Sequence, residues 1–132
     1  MSIALDLSNT VDVQSAFAKI SERFSGIDAL VNLAGLNLRS SVRNMQVTEW
    51  DKLMNTNVGH MFLTAKGAMS MMRRGSTITN MASISGHVAS VDYPAYVTSK
   101  AAVESLTIAL SKELKGAGIR VNAVAPGWVN AG

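Results

Sequence analysis

Tyr96 and Lys100 stand four residues apart within the segment Tyr-Val-Thr-Ser-Lys. At the start of a predicted helix, this spacing places both side chains on one face, one turn apart. A free phenol has a pKa near 10, and a cation within ~4–6 Å lowers the pKa of a phenol by about 1–3 units. Such a pair can give or take a proton near neutral pH, which is general acid–base chemistry. The alternative is an ordinary helix with one tyrosine and one exposed lysine.

Ser83 precedes Tyr96 by thirteen residues and follows a segment, Ser76–Ala82, whose β-branched residues predict a strand. A serine hydroxyl at the end of a strand, beside an acidic phenol, would add a second hydrogen-bond donor to one carbonyl oxygen. Two such donors stabilise the charge that develops on that oxygen during a reaction. The alternative is a serine that only caps a loop.

The composition excludes several other kinds of chemistry. The chain has 132 residues, 48% of them apolar, which is enough for one domain with a buried core. It contains no cysteine, so no disulfide, thiolate metal site or cysteine nucleophile can form. Its two histidines, His60 and His87, are too few for a histidine metal site, and no metal is expected.

The charges and the hydropathy also narrow the class of protein. The net charge is +3 and the basic residues are scattered, with only Arg73 and Arg74 adjacent, so nothing in the sequence favours a nucleic-acid partner. No apolar run approaches the ~20 residues that a membrane span needs, and the chain enters a predicted strand almost at once, without a leader. We therefore expect a soluble cytoplasmic protein.

Short apolar runs alternate with segments of helical periodicity along the whole chain. This order, β-α-β-α-β-α-β, predicts an α/β fold with a parallel sheet that helices cover on both faces. The predicted strands are Ser2–Leu7, Ile27–Ala34, Ser76–Ala82 and Ile119–Ala125. The first predicted helix begins at a cap on Ser8 or Thr10 and ends at Ser25–Gly26. The other two predicted helices cover Thr48–Met72 and Ala95–Lys115.

The Tyr-x-x-x-Lys pair with a serine thirteen residues earlier resembles the active-site signature of the short-chain dehydrogenase/reductase family. Four further segments resemble that family in the same order along the chain. These are Asp6-Leu7, Val31-Asn32-Leu33-Ala34-Gly35, Trp50-Asp51 with Asn57 six residues later, and Ala125-Pro126-Gly127. The resemblance covers the chain from Ile3 to Val129.

The resemblance implies an oxidoreductase that transfers a hydride between a nicotinamide cofactor, NAD or NADP, and a carbonyl or secondary alcohol. Tyr96 would act as general acid or base, Lys100 would promote ionisation of the phenol and bind the nicotinamide ribose, Ser83 would hold the substrate oxygen, and Asn57 would anchor a water of a proton relay. The implied cofactor-binding residues are Asp6, Leu7, Asn32, Ala34, Gly35, Tyr96, Lys100, Pro126 and Gly127. Substrate-facing loops would contain Ser85, Gly86, His87 and Trp128.

The implied fold is part of a Rossmann-like doubly wound parallel sheet, strands three to six of the family fold, in one domain over residues 1–132. The sequence departs from the family pattern at Leu33, where a second asparagine is usual, and at Ala131, where a threonine is expected near the carboxamide. It also lacks the Gly-rich β-α-β part and the C-terminal substrate segment. Since that Gly-rich turn holds the pyrophosphate, tight cofactor binding by these 132 residues alone is not expected, and Ile27–Ala34 should form an exposed sheet edge.

A second hypothesis is a chain without activity that only associates with other subunits. In the family, the helices corresponding to 48–72 and 95–115 pack against a partner, which implies a homo-oligomer. The residues predicted for that face are Met61, Phe62, Ala65, Ala68, Val103, Leu106 and Leu110. Binding of a nicotinamide cofactor would separate the two hypotheses.

Overall fold

The computed structural model describes residues 1–129, so the departure at Ala131 lies outside the described residues. Three parallel strands and four α-helices form the architecture, with a π-helical turn at Asn55–Gly59 and a 3₁₀ turn at Ile84–Gly86. In chain order the elements are α1 (Thr10–Arg23), β1 (Ile27–Asn32), α2 (Val47–Met54), α3 (His60–Met69), β2 (Met72–Met81), α4 (Pro94–Leu114) and β3 (Arg120–Val124).

The sheet has the strand order β1-β2-β3, and both strand pairs are parallel. Leu30, Ile78 and Val121 occupy one row across the three strands and point to the same face. On that face they pack with apolar side chains of α3 and α4 to form the core. This confirms the predicted α/β class and the parallel pairing, and it leaves β1 as a sheet edge among the described residues, as expected.

Helices cover only one face of the sheet among residues 1–129, so the prediction of two covered faces is wrong for this part of the chain. The row Val31, Thr79 and Asn122 points away from the core. Val31 is 55% exposed, and Leu33, next along the chain on the same side, is 62% exposed. Both connections between strands place their helices on the same side, since α3 and α4 pack on the core row, and α1 lies on that side too because it packs on α3.

The predicted strand Ser2–Leu7 is also wrong, since this segment has no regular structure. A strand is stabilised by hydrogen bonds to a neighbour, and no described strand lies beside this segment. It ends instead in a turn, in which the amide of Asn9 donates to the carbonyl of Asp6 at 3.0 Å. The side chain of Asn9 then caps α1 by accepting from the amides of Val11 and Asp12.

The predicted helix over 48–72 is divided and shorter. A π turn separates α2 from α3, and the helix ends at Met69 instead of continuing to Met72. Residues 73–75, predicted as its end, already belong to β2, where Gly75 adopts a φ of +96° that glycine tolerates. Among all the helices of residues 1–129, none combines the length and apolarity of a transmembrane segment.

Candidate active site

Tyr96 and Lys100 lie together at the start of α4, whose first residue is Pro94, a residue suited to that position. The Nζ atom of Lys100 lies 5.7 Å from the centroid of the Tyr96 ring and donates a hydrogen bond to the carbonyl of Met81 at 2.8 Å. Lys100 is only 4% exposed, and this burial lowers the pKa of its ammonium group. The predicted juxtaposition of the cation and the phenol ring is therefore present.

Asn57 is fully buried in the π turn and ties three segments together. Its Oδ1 atom accepts from the amide of Leu36 at 2.6 Å, and its Nδ2 atom donates to the carbonyl of Leu36 and to Oγ of Ser99, both at 2.9 Å. Both amide protons of Asn57 are thereby used by protein atoms. Its role in holding a water stays a prediction. Its two hydrogen bonds to the backbone of Leu36 fix the loop after β1 against the π turn.

Ser83 lies two residues after the end of β2 and caps the 3₁₀ turn by accepting from the amide of Ser85 at 3.2 Å. The amide of Ile84 donates to the carbonyl of Pro126 at 3.0 Å, which joins this loop to the loop after β3. The turn also lies directly on α4, because a Cβ atom added at Gly86 would be 3.0 Å from the amide nitrogen of Ala101. Ser83 is thus held between the ends of two strands and α4.

Two cavities meet at this point. The first, here called the Lys100 cavity, has a volume of about 290 Å³ and is lined by Leu33, Gly35, Leu36, Asn37, Met81, Ala82, Ser83, Tyr96, Lys100, Pro126 and Gly127. The second, here called the Trp128 cavity, has a volume of about 300 Å³ and is lined by Asn37, Ser83, Ile84, Ser85, Val88, Ser90, Tyr93, Tyr96, Gly127 and Trp128. Four residues belong to both linings: Asn37, Ser83, Tyr96 and Gly127.

The predicted cofactor residues fall into two groups. Five of them line the Lys100 cavity: Gly35, Tyr96, Lys100, Pro126 and Gly127. Asp6, Leu7, Asn32 and Ala34 are absent from that lining. The first five therefore remain candidates for contact with a ligand beside Lys100.

Asn32 is buried on the helix-covered face of the sheet instead of lining the cavity. Its Nδ2 atom donates to Oδ1 of Asn80 at 2.8 Å, and its Oδ1 atom accepts from the hydroxyl of Thr64 at the same distance. Asn80 in turn donates to the hydroxyl of Thr107 at 3.0 Å. This network links β1, β2, α3 and α4 and uses the side chain of Asn32 within the fold, while the cofactor-binding role of Asn32 stays a prediction.

Asp6 is exposed and uses its carboxylate locally. The Oδ1 atom accepts from the hydroxyl of Ser8 at 2.7 Å and from the amide of Ser8 at 2.8 Å. These bonds, the one from the hydroxyl above all, lower the pKa of the Asp6 carboxyl. Asp6 and Leu7 lie in this irregular segment, outside the lining of both cavities.

The residues predicted to face the substrate also lie in different places. Ser85 and Trp128 line the Trp128 cavity, whereas His87 points to the surface and lies 2.9 Å from a carboxylate oxygen of Glu104. Sequence reasoning missed Asn37, which lines both cavities, and Tyr93, whose ring centroid is 6.4 Å from that of Tyr96. Asn37 follows Gly35 by two residues at the carboxyl end of β1, a position where a polar side chain signals a binding role in parallel sheets.

Most residues predicted for a subunit face are buried within this chain, because they supply the core between the helices and the sheet. Met61, Ala65, Ala68, Val103 and Leu110 are at most 7% exposed. Of the predicted set, Phe62 is exposed at 50%, and the neighbouring helix exposes Ile108 at 56%. A surface for association on α3 and α4 would therefore depend on side chains such as these two.

The chain is similar to known oxidoreductases. A family model described as enoyl-(acyl carrier protein) reductase matches residues 1–132. An uncharacterized oxidoreductase of Staphylococcus aureus is 33% identical over 130 residues, which are 97% of this chain and 56% of that protein. The D-beta-hydroxybutyrate dehydrogenase of Rhizobium meliloti is 32% identical over 94% of this chain and 49% of its own length.

Among solved structures, a variant of a short-chain dehydrogenase/reductase from Serratia marcescens superposes with a TM-score of 0.94 at 27% identity. The match covers 98% of this chain and 54% of the Serratia chain. The chain thus spans about half the length of the relatives that it matches. The sequence match over all residues and the shared fold together show that the chain belongs to the short-chain dehydrogenase/reductase family.

Proposed function

We propose that the chain carries the proton-transfer part of a nicotinamide-dependent oxidoreductase active site, with Tyr96 as the general acid or base. The observation that carries this proposal is the position of Ser83 and Tyr96 in the walls of both cavities. A ligand in the Lys100 cavity and a second one in the Trp128 cavity would meet at these two side chains. Transfer between two bound molecules requires such contact between their sites.

The Lys100 cavity fits the nicotinamide ribose end of NAD or NADP. The ammonium of Lys100 has three protons, of which the structure assigns one to the carbonyl of Met81. Two donors are left for ribose hydroxyls. Gly35 keeps this approach open, since a Cβ atom at its position would lie 3.7 Å from Nζ of Lys100 and 3.3 Å from Oδ1 of Asn57.

When bound, the cofactor supplies or accepts the hydride. The residues of this chain would hold the substrate and move the proton. Ser83 would donate a hydrogen bond to the substrate oxygen, and Tyr96 would give its phenolic proton to that oxygen in reduction or take it back in oxidation. The cation of Lys100 would stabilise the negative charge left on the phenol oxygen.

The Trp128 cavity supports an uncharged carbonyl or secondary alcohol as the substrate. Its lining contains hydroxyl and amide groups, among them Ser85 and Asn37, together with apolar groups such as Val88, and it includes no charged side chain. A charged group on the substrate would find no oppositely charged side chain in this lining.

A second candidate function is association with another subunit without catalysis. The observation that favours it is the exposure of two large apolar side chains, Phe62 on α3 and Ile108 on α4. A subunit that associates through α3 and α4 would cover these two side chains.

One titration separates the two candidates. NADH and NADPH are added up to millimolar concentration, and the melting temperature and the tryptophan fluorescence are followed, because Trp128 lines the cavity beside Tyr96. A rise in Tm that grows with cofactor concentration supports the oxidoreductase. No shift, together with a dimer that Phe62→Ser or Ile108→Ser dissociates, would leave association as the function.

A further inference from the structure

The π turn between α2 and α3 leaves one backbone carbonyl without its ordinary partner. In an α-helix, the amide of His60 would donate to the carbonyl of Thr56, four residues earlier. Here that amide donates to the carbonyl of Asn55, five residues earlier. The carbonyl of Thr56 is bonded instead to the side chain of His60, through the ring nitrogen Nδ1.

This bond determines the protonation of the ring. A carbonyl oxygen only accepts hydrogen bonds, so Nδ1 of His60 carries the proton and Nε2 does not. His60 is 1% exposed, and Nε2 has no hydrogen-bond partner among the described residues. An apolar side chain could fill the same space without burying an unpaired nitrogen. Compared with an apolar side chain, the imidazole adds one hydrogen-bond donor, which points at the carbonyl of Thr56.

We propose that His60 is a positioning residue whose Nδ1–H bond to Thr56 stabilises the π turn and thereby holds Asn57 against the loop after β1. Asn57 lies in the same turn and makes two hydrogen bonds to the backbone of Leu36. Leu36 and the adjacent Gly35 line the Lys100 cavity. The relevance of His60 to cofactor binding rests on the function proposed above, whereas its effect on Asn57 does not.

Hydrogen exchange of the Leu36 amide measures the bond to Asn57 directly and requires no cofactor. In His60→Leu, which lacks the donor, we expect this amide to exchange about tenfold faster relative to the amide of Ile78 in the core strand. In His60→Asn, whose side-chain NH₂ can take the place of Nδ1–H, the ratio should stay near that of the wild type. Ala68→Gly in α3 is the matched control, since it lowers helix stability two turns away and should leave the ratio unchanged.

Either an unchanged ratio in a folded His60→Leu variant or a failure of His60→Asn to restore it would overturn the proposal. If His60→Leu does not fold, the ¹⁵N spectrum of the wild-type His60 ring tests the proposal, because it reports which ring nitrogen carries the proton. A proton on Nδ1 and none on Nε2 is the expected tautomer, and the reverse tautomer contradicts the proposal.

The same variants separate this inference from the proposed function. If His60→Leu raises the cofactor KM severalfold with little change in kcat, the positioning role extends to the Lys100 cavity. Failure of the wild type to bind NADH or NADPH would overturn the proposed function alone, because the exchange ratio and the ring tautomer do not depend on a cofactor.

Discussion

Lys100 holds its ammonium nitrogen 5.7 Å from the centre of the Tyr96 ring while almost completely removed from solvent. The carbonyl of Met81 is its hydrogen-bond acceptor, and no salt bridge to Lys100 occurs among residues 1–129. A buried cation without a counter-ion lowers the stability of the fold. Its presence here therefore indicates that Lys100 serves a function.

The first prediction follows from that cost. Lys100→Met removes the buried charge and shortens the unbranched side chain by only one atom, and we expect it to raise the free energy of unfolding at neutral pH by about 0.5–2 kcal/mol. It should also weaken cofactor binding and abolish turnover. Urea unfolding monitored by circular dichroism tests the stability.

The pH dependence provides a check on the same variant. Because burial lowers the pKa of Lys100 in the folded chain, the unfolded chain retains the proton up to about pH 10.5 while the folded chain loses it earlier. The wild type should therefore gain stability as the pH rises toward that value, and the advantage of Lys100→Met should shrink. A variant that is less stable than the wild type at every pH would contradict the argument.

The second prediction concerns His60. Burial lowers the pKa of this histidine, so on acidification the unfolded chain takes up a proton at this residue before the folded chain does. The stability contributed by neutral His60 is fully present above about pH 6.5 and is lost as the pH falls through the lower folded pKa. Unfolding free energies measured from about pH 8 to pH 5 should therefore decrease in the wild type and decrease less in His60→Asn. Identical pH slopes in the two proteins would show that this ring does not titrate as argued.

The third prediction concerns Gly86. An alanine here would place Cβ 3.0 Å from the amide nitrogen of Ala101 and 3.1 Å from the carbonyl carbon of Lys100, and backbone atoms of a helix cannot move aside easily. We expect Gly86→Ala to lower stability by about 1–3 kcal/mol and to displace Ser83 from Tyr96, with a loss of turnover. Gly116→Ala is the control, because nothing lies within 4 Å of the added atom. Equal stability of the two variants would mean that the turn can shift away from α4 without cost.

The fourth prediction concerns Asn32. Asn32→Ala would leave the side chain of Asn80 without one of its buried partners, and we expect a loss of about 1–3 kcal/mol of stability. The cofactor affinity of the folded variant should change little, because this side chain lies under the sheet and not in the Lys100 cavity. A large loss of affinity at unchanged stability would contradict this expectation and support the cofactor role that the family resemblance implies for Asn32.

Much of this site could be predicted from local sequence because its key spacing is helical. A spacing of four residues within α4 places Tyr96 and Lys100 on one face of the helix. Ser83 and Pro126 each follow the end of a strand by two residues, and the apolar runs before them mark those strands. The segment Ser2–Leu7 shows the opposite case. Its apolar alternation suits a strand, but strand formation depends on a neighbour that local sequence does not reveal.

The buried polar contacts were beyond sequence reasoning for a related reason. Asn32 and Asn57 both occur in segments that resemble family motifs, and nothing local indicates that one faces the core and the other the loop at Leu36. The π turn changes the direction of the side chains after Met54 by inserting one residue into a turn. Periodicity alone predicts an uninterrupted helix there, so the position of His60 beside Thr56 could be seen only in the structure.

The most direct measurement is the turnover of Tyr96→Phe beside its affinity for NADH and NADPH. The variant removes one phenolic oxygen and keeps the ring beside Lys100, so we expect turnover to fall about 10²–10⁴-fold while the Kd of the cofactor changes little. Tyr93→Phe removes the same atom from the neighbouring ring and should cause a much smaller loss. Turnover by Tyr96→Phe equal to that of the wild type would contradict proton transfer by Tyr96 and, with it, the proposed mechanism.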